Sequence, residues 1–485
     1  MVRGRAVRRE RTPPTAYGHR PRTDPRRIEE SLKDAAPVPF WLDDVPGPVP
    51  HPPLAGAHET DLLIVGGGFC GLWTAIIAKE RDPQREVVLI EAVRTGWAAS
   101  GRNGGFVEAS LTHGEENGAL HFSRERDVLA RLATENFTAL RDTIARYGID
   151  AEWEETGMLT VATEPHQVPG LRDAARDGGG DYLEGEALDA YASSPVYRAG
   201  LLTRDEHAYV HPAKLAFGLA RVAEKLGVRI HEHTRATGLR APRSGRVEVT
   251  TPDGVIRARR VALATNVFPS LLPALRLFTV PVYDYVLMTE PLSAEQLAAI
   301  GWTGRHGIAD SSREFHYYRK TADDRILWGG YDAVYHRGRR VRPSQDQRRE
   351  TFERLADHFF LTFPPLDGVR FTHAWGGAID MSTQLVAFHG AAKNGRVAYS
   401  AGYTGLGLGA TRFGAEVMLD LLEGRDTERT RLRMSRRLPV PIPPEPFAFP
   451  LIQLIRRAVA RSDRNGGKDG LLLRLAGLFG VGFDS

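Results

Sequence analysis

Gly66, Gly68 and Gly71 stand in the spacing G-x-G-x-x-G, and Glu91 follows twenty residues after the last of them. Together these residues can hold a dinucleotide. Gly66 permits a tight turn, Gly68 lets backbone approach a pyrophosphate, and Gly71 lets a helix pack close on the preceding strand. Phe69 and Cys70 fall where that helix begins, so its free N–H groups and partial positive charge face the phosphates. Glu91 can accept protons from both hydroxyls of a ribose, which favours an unphosphorylated one.

The glycines do this only if they join a strand to a helix. Leu62-Leu63-Ile64-Val65 is an all-apolar run, the pattern of a strand buried on both faces of a parallel sheet. Leu72 to Ala78 reads as a buried helix and Glu86 to Glu91 as a second strand, which completes a β-α-β unit. Further strands at 260–265 and 396–400 serve the same sheet. The expected fold class is α/β with an α+β substrate part: a Rossmann-like domain with an interleaved, mainly antiparallel β-sheet substrate domain. Residues 59–112, 205–280 and 371–430 are assigned to the first, and 113–204 and 281–370 to the second. The helical spacing of Leu129, Leu132, Phe137, Leu140 and Ile144 falls in the second. Residues 1–58, rich in Pro and Arg, read as a largely disordered arm that docks as an extended segment through Phe40, Trp41 and Leu42. Residues 431–485 read as a linker and two helical pieces packed on the body.

Composition narrows the classes. Cys70 is the only cysteine among 485 residues, so an intramolecular disulfide and cysteine-based zinc sites are excluded, and no metal is expected. No apolar run reaches the roughly 18 residues of a membrane span. The Arg-rich start lacks the apolar core of a secretion signal, so a cytoplasmic location is expected. Residues 1–34 carry ten Lys or Arg against five Asp or Glu, and the remainder 54 against 55. The net charge of +4 therefore belongs to the arm. It reads as a solvated segment, and a nucleic-acid partner is not expected.

A second small-residue loop, Gly96 to Gly105, separates FAD from NAD. Its amides and Ser100 can reach a pyrophosphate, and Gly104-Gly105 can lie flat against a flavin edge. A simple NAD dehydrogenase has no such need. The pieces DLLIVGGGFCGLWTAI, LIEAVRTGWAASGRNGGF, VALATN and AYSAGYTGLGLGATRFGAEVM resemble the D-amino-acid oxidase superfamily of flavoproteins. Within it the chain is most similar to the gamma-glutamylputrescine oxidoreductase-like and glycine/sarcosine oxidase-like branch, with Ser100 to Gly105 the most specific match. The resemblance implies that Gly66, Gly68 and Gly71 bind the pyrophosphate and Glu91 the ribose. It places Ser100, Arg102, Asn103, Gly104 and Gly105 by the pyrophosphate and flavin, and the Ala236 backbone at the adenine. Ala264, Thr265 and Asn266 would pass beneath the cofactor. Gly402, Tyr403, Thr404, Gly405, Leu406 and Gly407 would close over the flavin, with a helix from about Arg412 behind. Cys70 lies in the pyrophosphate turn, away from the flavin's dimethylbenzene edge. Noncovalent FAD is the resulting expectation, with a histidyl link through His113 as the alternative.

The resemblance also implies oxidation of a C–N bond in an amine or amino acid, with dioxygen or another carrier as electron acceptor. Substrate-side candidates are Tyr283 and Tyr285, which share one face of a strand, Tyr317 and Arg319 on another, Trp375 and Asp380. Arg319 is a carboxylate-clamp candidate, and Asp380 an ammonium ligand. The stretch Ile379 to Gln384 departs from the Thr-x-Asp-like segment of many relatives, which leaves the substrate open. Two other readings stand beside this one: an NAD(P)H-dependent flavin monooxygenase, and a non-catalytic binding protein stabilised by FAD.

Overall fold

A computed structural model describes residues 15–18 and 21–478. The Arg-rich stretch 1–14 and the tail end 479–485 lie outside the described residues. Two sheets organise the molecule. In the first, the strands run in the order Phe388–Ala392, Val397–Ala401, Gly254–Leu263, Gly56–Val65, Val87–Ile90 and Arg229–His231, and two short strands extend Gly254–Leu263 on its flank. Gly56–Val65 lies parallel to Gly254–Leu263 on one side and to Val87–Ile90 on the other. In register, Val65 sits beside both Leu263 and Ile90, so three strands end together. The chain leaves the central strand there and continues to opposite sides of it. Such a switch point opens the crevice in which α/β folds bind ligands.

The second sheet is mainly antiparallel and is built on the long ribbon of Thr279–Thr289 with Phe371–Ser382. Alternation along Thr279–Thr289 sorts its two faces. Tyr283, Tyr285 and Leu287 join the core under the helix Arg349–Thr362. Val286 and Met288 turn the other way, into a smaller cluster with Phe40, Trp41, Leu327 and Trp375. Among the described residues no helix is long and apolar enough to cross a membrane.

Three expectations are corrected. Phe371–Ser382 belongs to the second sheet, since its whole length pairs with Thr279–Thr289. The helix Arg126–Arg146 packs its apolar stripe into the core of the first sheet's helices and not into the second domain. Its periodicity revealed a helix but not which core would receive it. Residues 21–58 are not a disordered arm. Asp24 caps the helix Pro25–Leu32, its Oδ1 accepting the Arg26 N–H at 2.9 Å. Ile28 is buried in the second core, and Phe40–Asp43 is a short helix rather than extended chain. Tyr17, Ile28, Phe40, Trp41 and Leu54 are all buried. Anchors so widely spaced carry no periodicity, and each finds its own recess.

Candidate active site

The glycine turn is tight enough to exclude any side chain. A Cβ on Gly71 would lie 1.9 Å from the Gly66 carbonyl oxygen, and one on Gly66 would lie 2.3 Å from that of Ala264. The helix Phe69–Arg81 starts directly behind the turn. Its first N–H, on Phe69, donates to Ser100 Oγ at 2.9 Å, and a Cβ on Gly68 would meet that same oxygen at 2.8 Å. Ser100 thus stands at the mouth of the helix, where its hydroxyl can turn to a phosphate. Glu91 Oε2 accepts the Gly67 N–H at 2.7 Å, while its Oε1 accepts Val93 N–H and the Trp97 indole. The carboxylate is fixed at the lip of the turn with lone pairs to spare.

The loop after Ser100 is held by the short helix Phe40–Asp43 and by the second sheet. The Trp41 indole donates to the Asn103 carbonyl at 2.8 Å, and the Trp375 indole to the Arg102 carbonyl at 2.9 Å. The Arg102 guanidinium reaches Asp346 at 2.7 Å and the Gly376 carbonyl at 3.1 Å. Asn103 closes the loop on itself, with Nδ2 donating to Ala99 and Ser100 and Oδ1 accepting Gly105 N–H. Gly105, at φ +78, has no room for a Cβ against the Val210 carbonyl oxygen, 2.3 Å away, and Arg319.

A third strip comes from residues 402–407. Gly402 and Gly405 have positive φ, as does Thr404. Asp380 Oδ2 accepts the Gly402 N–H at 2.6 Å, and its Oδ1 accepts the Asn266 side-chain amide at 3.3 Å. Burial pushes this carboxyl up to about 6. His113 Nε2 donates to the Thr404 carbonyl at 2.6 Å. The Tyr403 hydroxyl donates to Cys70 Sγ at 3.3 Å, and burial pushes that thiol up to about 12. Cys70 is an inert packing partner under the strip. The helix behind begins at Gly407, five residues before the expected Arg412, so its N-terminus follows the strip directly. Ala264 backs Gly66, and Ala236 packs on the flank of the first sheet.

Across from these strips the structure redistributes the substrate-side candidates. Tyr283 and Tyr285 point away from the crevice, and their hydroxyls donate to the carbonyls of Arg342 and Gln345. Arg319 is not a free clamp. It is fully buried, donates to the carbonyls of Gly105 at 3.1 Å and Val210 at 2.8 Å, and faces the rings of Trp41 and Tyr209. Burial lowers its pKa to about 10. Asp380 positions the 402–404 strip and is not a free ammonium ligand. Trp375 lies at the 102–103 loop, as its place before a glycine pair suggested.

Of the three tyrosine candidates, only Tyr317 faces the loop. Its ring lies 2.8 Å from where a Gly104 Cβ would stand, and its hydroxyl donates to Asp284 Oδ2 at 2.5 Å. Asp284 is not among the sequence candidates; its two neighbours, Tyr283 and Tyr285, fill the opposite face. Strict alternation places it toward the crevice, opposite Gly377, against which Arg102 lies. Burial pushes its carboxyl up to about 6, against the hydrogen bond from Tyr317.

Residues 61–421 match the family described as FAD dependent oxidoreductase (DAO). The probable oxidoreductase OrdL of Haemophilus influenzae is 24% identical over 415 residues, spanning 83% of this chain and 91% of that protein. The gamma-glutamylputrescine oxidoreductase of Escherichia coli is 29% identical over 392 residues, spanning 78% and 87%. Among solved structures, glycine oxidase from Geobacillus kaustophilus superposes with a TM-score of 0.63 at 19% identity, covering 76% of this chain and 96% of that one. L-proline dehydrogenase from P. horikoshii gives 0.63 at 17%, covering 78% and 98%. These two likenesses establish the fold.

Proposed function

The chain belongs to the FAD dependent oxidoreductase family, and on that premise we propose that it uses noncovalently held FAD to oxidise the C–N bond of an amine or amino acid. Dioxygen or another carrier then takes the electrons. One observation carries this reading. Three glycine-rich strips, at 66–71, 100–105 and 402–407, meet through the Phe69 N–H on Ser100 and the Tyr403 hydroxyl on Cys70, with Tyr317 of the second sheet against Gly104. There, the turn and the first N–H groups of the helix Phe69–Arg81 would hold the pyrophosphate, and Glu91 the ribose. The 402–407 strip, with the helix start at Gly407, would stabilise negative charge on the cofactor's pyrimidine side. Bound there, the flavin supplies a two-electron acceptor. Cys70 is hydrogen-bonded under Tyr403 and His113 Nε2 to the Thr404 carbonyl, which supports a noncovalent flavin.

The test is anaerobic mixing of the yellow protein with polyamines, N-methyl amino acids and D-amino acids. Bleaching by an amine or amino acid, without any nicotinamide, is expected. Bleaching by NADPH alone would overturn the reading. Acid precipitation should release the flavin into the supernatant.

The loop brace makes a milder prediction. Trp41→Phe keeps the packing but loses the indole bond to the Asn103 carbonyl. One neutral hydrogen bond is worth about 1 kcal/mol, so FAD should bind roughly fivefold more weakly to the refolded apoprotein. Titration by flavin fluorescence quenching measures it.

A further inference from the structure

We propose that Asp284 is the anchor of a substrate ammonium, and that the substrate is an amine with no carboxylate on either carbon attached to its nitrogen. This rests on the amine-oxidation reading and narrows it.

Asp284 lies on the crevice face of Thr279–Thr289 and is only partly covered. Its oxygens accept the Tyr317 hydroxyl at 2.5 Å and the Tyr285 N–H at 2.8 Å. Among the described residues no lysine, arginine or histidine forms an ion pair with it. Asp332, itself paired with Arg348, Arg354 and Arg456, adds some repulsion. A carboxylate partly withdrawn from water without a counter-ion is costly, and a cationic ligand lowers that cost. An ammonium fits in charge, and the rings of Phe106 and Phe315, 5.4 and 6.2 Å from that of Tyr317, offer an apolar wall for a methylene chain.

An α-amino acid would bring a carboxylate beside the reacting nitrogen and need a cation there. The arginines nearest this wall are committed. Arg319 is spent on two backbone carbonyls, and Arg102 on Asp346 and the Gly376 carbonyl. A second carboxylate next to Asp284 would meet repulsion only.

The chemistry then balances as follows. The substrate enters as R–CH2–NH3+ and one N–H proton passes to Asp284. The C–H bond breaks as hydride, its two electrons leaving to the bound cofactor, while the nitrogen lone pair forms C=N. Water adds to the iminium, and an aldehyde and ammonium leave.

The test compares holoenzyme with Asp284→Asn and Tyr317→Phe. Calorimetry with tert-butylamine, which has no hydrogen to lose on the carbon bonded to nitrogen, reads binding without turnover. It should bind wild type, and about a hundredfold more weakly to Asp284→Asn. Anaerobic flavin reduction by 1,4-diaminobutane should be at least about a hundredfold more efficient than by glycine, sarcosine or D-alanine. Efficiency should fall below about pH 6 as Asp284 takes a proton. The facing groups are Tyr317, Asp332 and the paired Arg102–Asp346. Tyr317→Phe removes a bond to the carboxylate and should move that acid limb upward, a readout that survives if Asp284→Asn fails to fold. Amino acids reducing the flavin best would overturn the substrate class and leave amine oxidation standing. Equal tert-butylamine binding by Asp284→Asn, or an unmoved limb in Tyr317→Phe, would overturn the anchor. Reduction by no amine or amino acid would remove the parent reading and this one together.

Discussion

Gly71→Ala should yield a colourless protein. The added Cβ would lie 1.9 Å from the Gly66 carbonyl oxygen and 3.3 Å from Ile64 Cγ2, and neither atom can move alone. The carbonyl is part of the turn, and Gly66 N–H is itself bonded to Ile90 O at 2.9 Å across the sheet. The helix start must therefore swing away from the strand, carrying the Phe69 N–H off the phosphate position. Losing the close approach of several amides to a doubly charged pyrophosphate should weaken FAD binding by at least about a thousandfold. The ratio of flavin to protein after purification reads this directly. Retention of a full equivalent of FAD would mean that the cofactor does not lie on this turn.

Arg319→Ala should be the most destabilising substitution on the crevice side. It strips the Gly105 and Val210 carbonyls of a shared donor and empties the space between Trp41 and Tyr209. The Gly105 carbonyl keeps the Val210 N–H, so one unsatisfied carbonyl, one weakened one and a cavity together cost roughly 3–5 kcal/mol. Because Gly105 ends the 100–105 loop, FAD affinity should fall with stability. A carboxylate clamp behaves otherwise, raising KM for acidic substrates while flavin content and the unfolding midpoint hold. Differential scanning fluorimetry beside flavin content separates the two. An unchanged midpoint with full flavin would restore the clamp.

The cofactor end of the site was legible in the sequence because its requirements are local. A turn with no room for Cβ needs glycine at Gly66 and Gly71, and the acid that serves it must end the next strand, as Glu91 does. The substrate end depends on which face of a strand looks inward, and that is set by partners far away in the chain. Tyr283 and Tyr285 are aromatic enough for either face. Only the helix Arg349–Thr362, packed on one side, sends them there and leaves Asp284 on the other. The sequence offers Arg319 as a carboxylate clamp and Asp380 as an ammonium ligand, but their roles depend on backbone atoms of Gly105, Val210 and Gly402, which no spacing in the sequence displays. The arm reads as disordered for a related reason: composition averages over Tyr17, Ile28 and Trp41, and burial does not.

The brace on the 102–103 loop joins residue 41 to residue 375 through two indoles. The central strand likewise waits for Gly254–Leu263, and that strand for Val397–Ala401. On a ribosome the chain therefore emerges with its phosphate turn early and its clasp late. Most of the polypeptide must be made before the crevice has walls, and pairings so distant in sequence form slowly. On this topology FAD capture is expected to follow synthesis of the 402–407 strip, in a chain that is nearly complete and still open.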